Sequence, residues 1–177
     1  MTKKSIVSLV LAVSFSFQIL AQQSATYTSD LVDYQKALAL YNNQQYRAAQ
    51  SMFSSVIKTA EENILQSNCA YYIANCAVRL NQQNADQLVE NFVKEYPTST
   101  KRNTAFVNVA DYYFENSKYA YARKWYNKVD EEALGRKERE KLNFNNGYTA
   151  FSTKQYKEAK KYLSRVENSA EFGSQAK

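Results

Sequence analysis

The sequence predicts an all-α fold, a solenoid of antiparallel helix pairs, and three features of the chain support that prediction. The 177 residues include only three Gly and one Pro, too few for a hairpin-rich β-sheet protein. One apolar face recurs in "QQYRAAQSMFSSV" (44–56), "SKYAYARKWYNKV" (117–129) and "KQYKEAKKYLSRV" (154–166). The copies, with a fourth and weaker one, are spaced by 39, 34 and 37 residues, a period typical of stacked helical repeats.

The start of the chain has the features of an export signal. Lys3 and Lys4 precede an apolar run from Ile6 to Leu20, and the small residue Ala21 follows. A membrane anchor is the alternative, but this run is interrupted by Ser and Gln and is shorter than the roughly 20 apolar residues that span a bilayer. No Cys lies near the expected cleavage point, so a lipid-modified signal is not supported. We expect cleavage after Ala21 and a mature chain that does not span the membrane.

Each recurrent face carries a Tyr, an Ala three residues later, a bulky apolar residue at seven and a Val at ten. At about 100° per residue these positions fall within about 80° of one another, so they form one stripe of a helix. A neighbouring helix can approach closely at the Ala. The stripes are Tyr46, Ala49, Phe53 and Val56; Tyr119, Ala122, Tyr126 and Val129; and Tyr156, Ala159, Leu163 and Val166.

A helical pattern with a small residue nine positions before the Tyr precedes each stripe. The small residues are Ala37, Ala110 and Gly147. Only a few turn-compatible residues, such as 42–45 or 115–118, separate the two helices. We therefore expect antiparallel pairs that place small residue against small residue.

The weaker copy has Cys76 at the small position and Ala85, Leu88 and Phe92 along the stripe. Cys69 and Cys76 are seven residues apart, too far along one helix, about 10 Å, for a disulfide. The chain contains no His, so a metal site is not expected either. Both cysteines are predicted to be small buried residues.

These repeated units resemble tetratricopeptide repeats over roughly residues 30–168. They depart from that family's pattern because only Pro97 marks the end of a unit, and the usual early Trp is replaced by Asp33, Tyr72, Phe106 and Asn143. The stretch "FVKEYPTSTKRNTAFVNVADYYFENSKYAYARKWYNKV" is similar to bacterial envelope members, including those of outer-membrane protein assembly and the Tol-Pal coordinator. The predicted organisation is a signal peptide 1–21, a linker 22–29, repeats at about 30–61, 67–97, 99–133 and 137–168, and the start of a truncated repeat at 169–177.

The resemblance implies a right-handed superhelix whose first helices line a concave surface that binds peptides or protein segments. The residues expected to face that surface are Tyr34, Leu38, Tyr41, Asn108, Asp111, Phe114, Phe144, Asn145 and Tyr148. The alternative is that several of these rings pack between repeats. A carboxylate clamp is not expected, because the positions that hold its cations in other members are mainly Tyr34, Ile73, Val107 and Phe144 here.

Charge and composition bear on the class of partner. Residues 22–100 hold 5 basic and 7 acidic side chains, whereas 101–177 hold 16 and 10. The basic residues interleave with Glu on helix exteriors, which indicates a solvated face rather than a nucleic-acid site. Without His or a Gly-rich phosphate loop, we predict no catalytic residues, no metal, no cofactor and no small-molecule substrate.

The sequence thus predicts a non-enzymatic periplasmic scaffold that binds proteins or peptides of the cell envelope. A peripheral position at the outer membrane is compatible with this prediction. The alternative function is the periplasmic input region of a larger signalling protein, such as a sensor kinase. The tail "NSAEFGSQAK" is similar to the start of another first helix. We therefore expect the chain to be a fragment whose C-terminal end frays or self-associates.

Overall fold

The computed structural model describes residues 29–177, and all regular structure in that range is helical. No helix there is long and apolar enough to cross a bilayer. The predicted signal peptide and linker, up to residue 28, lie outside the described residues. The helices are α1 (29–42), α2 (Tyr46–Thr59), α3 (Asn63–Arg79), α4 (Ala85–Glu95), α5 (Arg102–Glu115), α6 (Tyr119–Tyr126), α7 (Arg136–Ser152), α8 (Tyr156–Leu163) and α9 (Gly173–Ala176).

The chain divides into two compact units within α3, between Ile73 and Ala74. In the N-terminal unit, Phe53 of α2 is fully buried against rings of α1 and α3. In the C-terminal unit, α5 packs on α6, α6 on α7, and α7 on α8. We number consecutive helices that are joined by a short turn as pairs: first (α1 and α2), second (α3 and α4), third (α5 and α6) and fourth (α7 and α8).

The turns inside the four pairs share one backbone conformation. Each contains a residue in the left-handed region, with φ between 52° and 62°. In the third pair, the Ser117 N–H donates to the Phe114 carbonyl at 2.9 Å, and the Lys118 N–H donates to the Tyr113 carbonyl at 2.8 Å. The same two bonds recur in every pair and define a Schellman motif, which satisfies the last carbonyls of a helix. The left-handed residues are Gln44, Asn81, Ser117 and Lys154.

The spacing of these turns is more regular than the spacing of the recurrent apolar stripes in the sequence. The left-handed residues are spaced by 37, 36 and 37 positions. Helices α2, α6 and α8 begin two residues after the left-handed residue, whereas α4 begins four residues after Asn81. Two extra turn residues in the second pair therefore account for the uneven 39 and 34 in the sequence spacing.

The predicted small residues of the first helices are buried, as are both cysteines, which are free thiols. The expected contact of small residue with small residue is wrong in the fourth pair. A Cβ placed on Gly147 would lie 2.7 Å from Leu163 Cγ, and the nearest atoms all belong to Leu163. The bulky side chain of α8 therefore occupies the space that the missing side chain of Gly147 leaves.

The second helices of the third and fourth pairs are shorter than the predicted stripes. Helix α6 ends at Tyr126 and α8 at Leu163, so Val129 and Val166 follow in turns, although Val166 remains buried. Asn127 and Ser164 stand at the helix ends. Both side chains compete for backbone hydrogen bonds and so favour termination.

Candidate functional site

Helices α5 and α7, with the turn before α7, enclose a cavity of about 240 Å³ in the C-terminal unit. Its lining combines apolar walls with amide, hydroxyl and charged groups. We call it the α5–α7 cavity. The lining residues are Thr104, Val107, Asn108, Asp111, Tyr126, Leu134, Glu138, Lys141 and Leu142.

Asp111 is the centre of a hydrogen-bonded network at the cavity wall. The Tyr126 hydroxyl donates to Asp111 Oδ1 at 2.6 Å, and the Lys141 ammonium lies 2.6 Å from Oδ2. The Asn145 amide donates to the Tyr126 oxygen at 2.9 Å and to Asp111 Oδ1 at 3.3 Å. The Asp111 side chain is only 15% exposed, so these bonds compensate for its removal from water.

Tyr126 serves in this network as a neutral donor. Burial raises the pKa of the Tyr126 hydroxyl, and the negative charge of Asp111 raises it further. The phenol therefore keeps its proton, while Lys141 balances the charge of the carboxylate. The network presents fixed hydrogen-bonding groups around a balanced Asp111–Lys141 pair, an arrangement suited to recognition.

The start of α7 is held at the edge of the cavity by a local bond. The Gly135 N–H donates to Glu138 Oε2 at 3.0 Å, which is the return arm of a capping box. Glu138 and Leu134 both line the cavity. The same bond that fixes the first turn of α7 therefore fixes this side of the site.

An aromatic cluster lies one helical turn beyond Asp111 and Asn145. Phe114, Tyr119 and Tyr148 meet edge to face, with ring centroids 5.5 to 5.8 Å apart. Phe144 lies 6.4 Å from Tyr148 and stacks on Phe172 at 4.8 Å. Tyr148 is 40% exposed, so the cluster offers part of an aromatic surface to solvent.

In the N-terminal unit, the three predicted site residues have a different setting. Tyr34 is buried, edge-on to Phe53 at 5.7 Å and to Tyr72 at 6.3 Å. The ring centroids of Tyr41 and Tyr72 are 5.0 Å apart, and Leu38 is half-buried. The sequence left open the alternative that some of these rings pack between repeats. The buried ring of Tyr34 agrees with that alternative.

Of the nine residues predicted from sequence, Asn108 and Asp111 line the α5–α7 cavity, and Asn145 is bonded to its wall. Sequence reasoning missed Lys141 and Glu138. The 34-residue offset that brings Asp111 to Asn145 also relates Val107 to Lys141 and Thr104 to Glu138, and the hydrogen bond between Asp111 and Asn145 reveals it. Tyr126 was assigned only to helix packing, and its hydroxyl was overlooked. Residues 29–177 contain no group of three or more side chains that could hold a metal ion.

Residues 69–99 match the family described as Tetratricopeptide repeat. The match covers 31 of the 177 residues, from Cys69 in α3 to Ser99 after α4. This is the pair whose sequence marks are weakest. No curated protein matches the chain. The match supports the tetratricopeptide family, whose repeats are protein–protein interaction modules.

Proposed function

We propose that this chain is a non-enzymatic scaffold of the bacterial cell envelope that binds an extended segment of a partner protein at the α5–α7 cavity. The observation that supports this most is the cavity itself, with its fixed Asp111 network and mixed walls. Its volume, about 240 Å³, is below the roughly 300–1,000 Å³ of sites for small molecules and cofactors. It suits one side chain of a polypeptide.

The lining indicates how such a segment is held. An apolar side chain of the ligand enters between Val107, Leu134 and Leu142. The Asn108 side chain lines the same cavity, and the exposed ring of Tyr148 adds contact area beside it. Rings and amides suit extended peptides because they give contact area and adaptable hydrogen bonds at low entropy cost.

A peptide library displayed on phage and selected on the immobilised protein tests this proposal. The selected peptides are then measured by fluorescence polarisation against Asn108→Arg, which fills the cavity, and Asn91→Arg, the same change on α4. We expect Asn108→Arg to weaken binding at least about tenfold, because a buried anchor carries most of the energy of such an interface. Equal binding by both variants, or no selected peptide, contradicts the proposal.

Export to the periplasm is the second part of the proposal, and Lys3, Lys4, the apolar run and Ala21 support it. Expressed in a bacterial host, the protein should begin at or near Gln22 by N-terminal mass spectrometry. Recovery of an intact chain from Met1 in the inner membrane would instead favour the anchor.

A further inference from the structure

The second helices of the C-terminal unit differ in how their charges are paired. Helix α4 presents Asp86 and Glu90, at its second and sixth positions, to Lys124 of α6 and to Lys128 in the turn after it. Lys124 lies 3.2 Å from Asp86 and 3.8 Å from Glu90, and Lys128 lies 3.0 Å from Glu90. Lys124 and Lys128 are therefore neutralised within the fold.

Helix α8 carries lysines, Lys157 and Lys161, at the positions where α4 carries acids. At about 100° per residue, Lys157, Lys160 and Lys161 fall within an arc of about 100°. Lys154 lies in the turn just before the helix. All four are exposed, and within residues 29–177 none forms an ion pair. Helix α8 has one acid, the half-buried Glu158.

Two exposed aromatic rings lie beside these lysines. Phe151 at the end of α7 and Tyr156 at the start of α8 meet edge to face at 5.8 Å. They are 57% and 60% exposed. An uncompensated lysine face with exposed rings at one end is thus built into the fourth pair. We call it the lysine–aromatic patch, formed by Phe151, Lys154, Tyr156, Lys157, Lys160 and Lys161.

We propose that the lysine–aromatic patch binds the surface of an anionic lipid bilayer. Lysines near such a surface are attracted to its negative headgroups, and aromatic rings favour the boundary between headgroups and hydrocarbon. A nucleic acid fits the patch less well. Its sequence-independent binders use ring faces as stacking platforms, whereas Phe151 and Tyr156 turn an edge and a face to each other. All the patch cations are lysines, without the planar fork by which arginine grips phosphates.

Co-sedimentation with vesicles tests the patch in the full-length protein. The vesicles contain phosphatidylcholine alone, or equal parts of phosphatidylcholine and phosphatidylglycerol. Lys3, Lys4 and the apolar run near the N-terminus are the same in every variant, so variants are compared by the ratio of binding to anionic over neutral vesicles. We expect a ratio well above one that falls as salt is raised, because salt screens the attraction.

The triple variant Lys157→Glu, Lys160→Glu and Lys161→Glu should lower this ratio by roughly 100-fold, since each lysine near an anionic surface contributes roughly fivefold. The control is Lys58→Glu, Lys94→Glu and Lys137→Glu, an identical change in net charge at exposed lysines of three other helices. Its ratio should stay within about tenfold of the parent. Equal losses in both variants, or a parent ratio of one, overturn the proposal. Unchanged far-UV melting curves verify that both variants are folded.

Fluorescence locates the contact independently of the N-terminal run. A Trp introduced as Phe151→Trp should be quenched by brominated lipids in anionic vesicles. The control is Ile64→Trp, at an apolar residue of α3 that is 74% exposed and outside the patch. The natural Trp125 is fully buried and gives the same background in both proteins. Equal quenching at the two positions, or tighter binding to duplex DNA or polyglutamate than to vesicles, overturns the lipid assignment.

Discussion

The first and third helix pairs carry different side chains at equivalent positions, 73 residues apart by their left-handed turn residues. In α1, Tyr34 stands where α5 has Val107. The ring of Tyr34 is buried against Phe53 and Tyr72, whereas Val107 lines the α5–α7 cavity. The repeat therefore determines which residues share a helix face, and side-chain size decides whether that face packs or leaves a cavity.

The same comparison applies to the polar groups. Phe53 and Leu38 of the first pair are equivalent to Tyr126 and Asp111 of the third. Phe53 has no hydroxyl and is fully buried in an aromatic cluster. Tyr126 is nearly as buried but donates to Asp111 at 2.6 Å. One pair is thus held by rings alone at this position, and the other by rings and a partly buried hydrogen bond.

The largest expected effect tests the apolar half of this comparison. Phe53→Ala removes a fully buried ring that stacks on Tyr72 at 5.0 Å. We expect it to lower the free energy of unfolding by about 3–5 kcal/mol in urea denaturation. The control Phe151→Ala removes a ring that is 57% exposed and should stay within about 0.5 kcal/mol of the parent. Similar costs for the two variants would show that the cluster around Phe53 is not a core.

Tyr126→Phe tests the comparison of the polar groups, because it gives the third pair the Phe that the first pair has at position 53. It leaves the partly buried Asp111 and the buried Asn145 without the Tyr126 hydroxyl that they share. We expect a loss of about 1.5–3 kcal/mol in the free energy of unfolding, as for a hydrogen bond to a charged group. Tyr121→Phe on the same helix, at a ring 57% exposed, should be nearly neutral.

The double variant Tyr126→Phe with Asp111→Leu reproduces both residues of the first pair. Its cost should be smaller than the sum of the two single costs, because both single changes break the same Tyr126–Asp111 hydrogen bond, which can be lost only once. Additive costs would mean that the two side chains do not act as a unit.

Much of the fold could be predicted because each repeat unit carries the same pattern of small and apolar residues. The stripe residues Ala49, Ala122 and Ala159 are buried as predicted, and so are Cys69 and Cys76. The Schellman turns could not be read from the sequence, because Gln, Asn, Ser and Lys occupy positions where Gly is the usual signal. The handedness of the array stays a prediction.

The candidate site could be predicted only in part, for a different reason. Asn108 and Asp111 followed from their place on a first helix. The cavity beside them depends on a small Val107, on Leu134 from a turn and on Tyr126 from another helix. A pattern within one helix does not contain that information, since the volume left between helices is set by several elements together.

A fourth prediction concerns the close helix approach that the two pairs share. Ala122 is fully buried where α6 packs on α5, so Ala122→Leu should overpack the pair and cost about 1–3 kcal/mol of unfolding free energy. Ala49→Leu at the equivalent place in the first pair should behave alike. Ala120→Leu on the exposed side of α6 is the control. A thermal melt of Ala122→Leu that matches the control would refute the close approach of these helices.

The smallest effect, and one of opposite sign, is expected at the turns that the pairs also share. Gln44 has φ 60°, a conformation that costs an L-residue roughly 1–2 kcal/mol. Gln44→Gly removes that cost but loses about 0.5–1 kcal/mol to the greater freedom of Gly in the unfolded chain. The net result should be a gain of about 0.5–1 kcal/mol in urea denaturation, with the same sign for Ser117→Gly. Gln35→Gly, at an exposed position inside α1, is the matched control and should lose about 1 kcal/mol instead. If both Gln variants lost stability, the left-handed turn would not be the native conformation at residue 44.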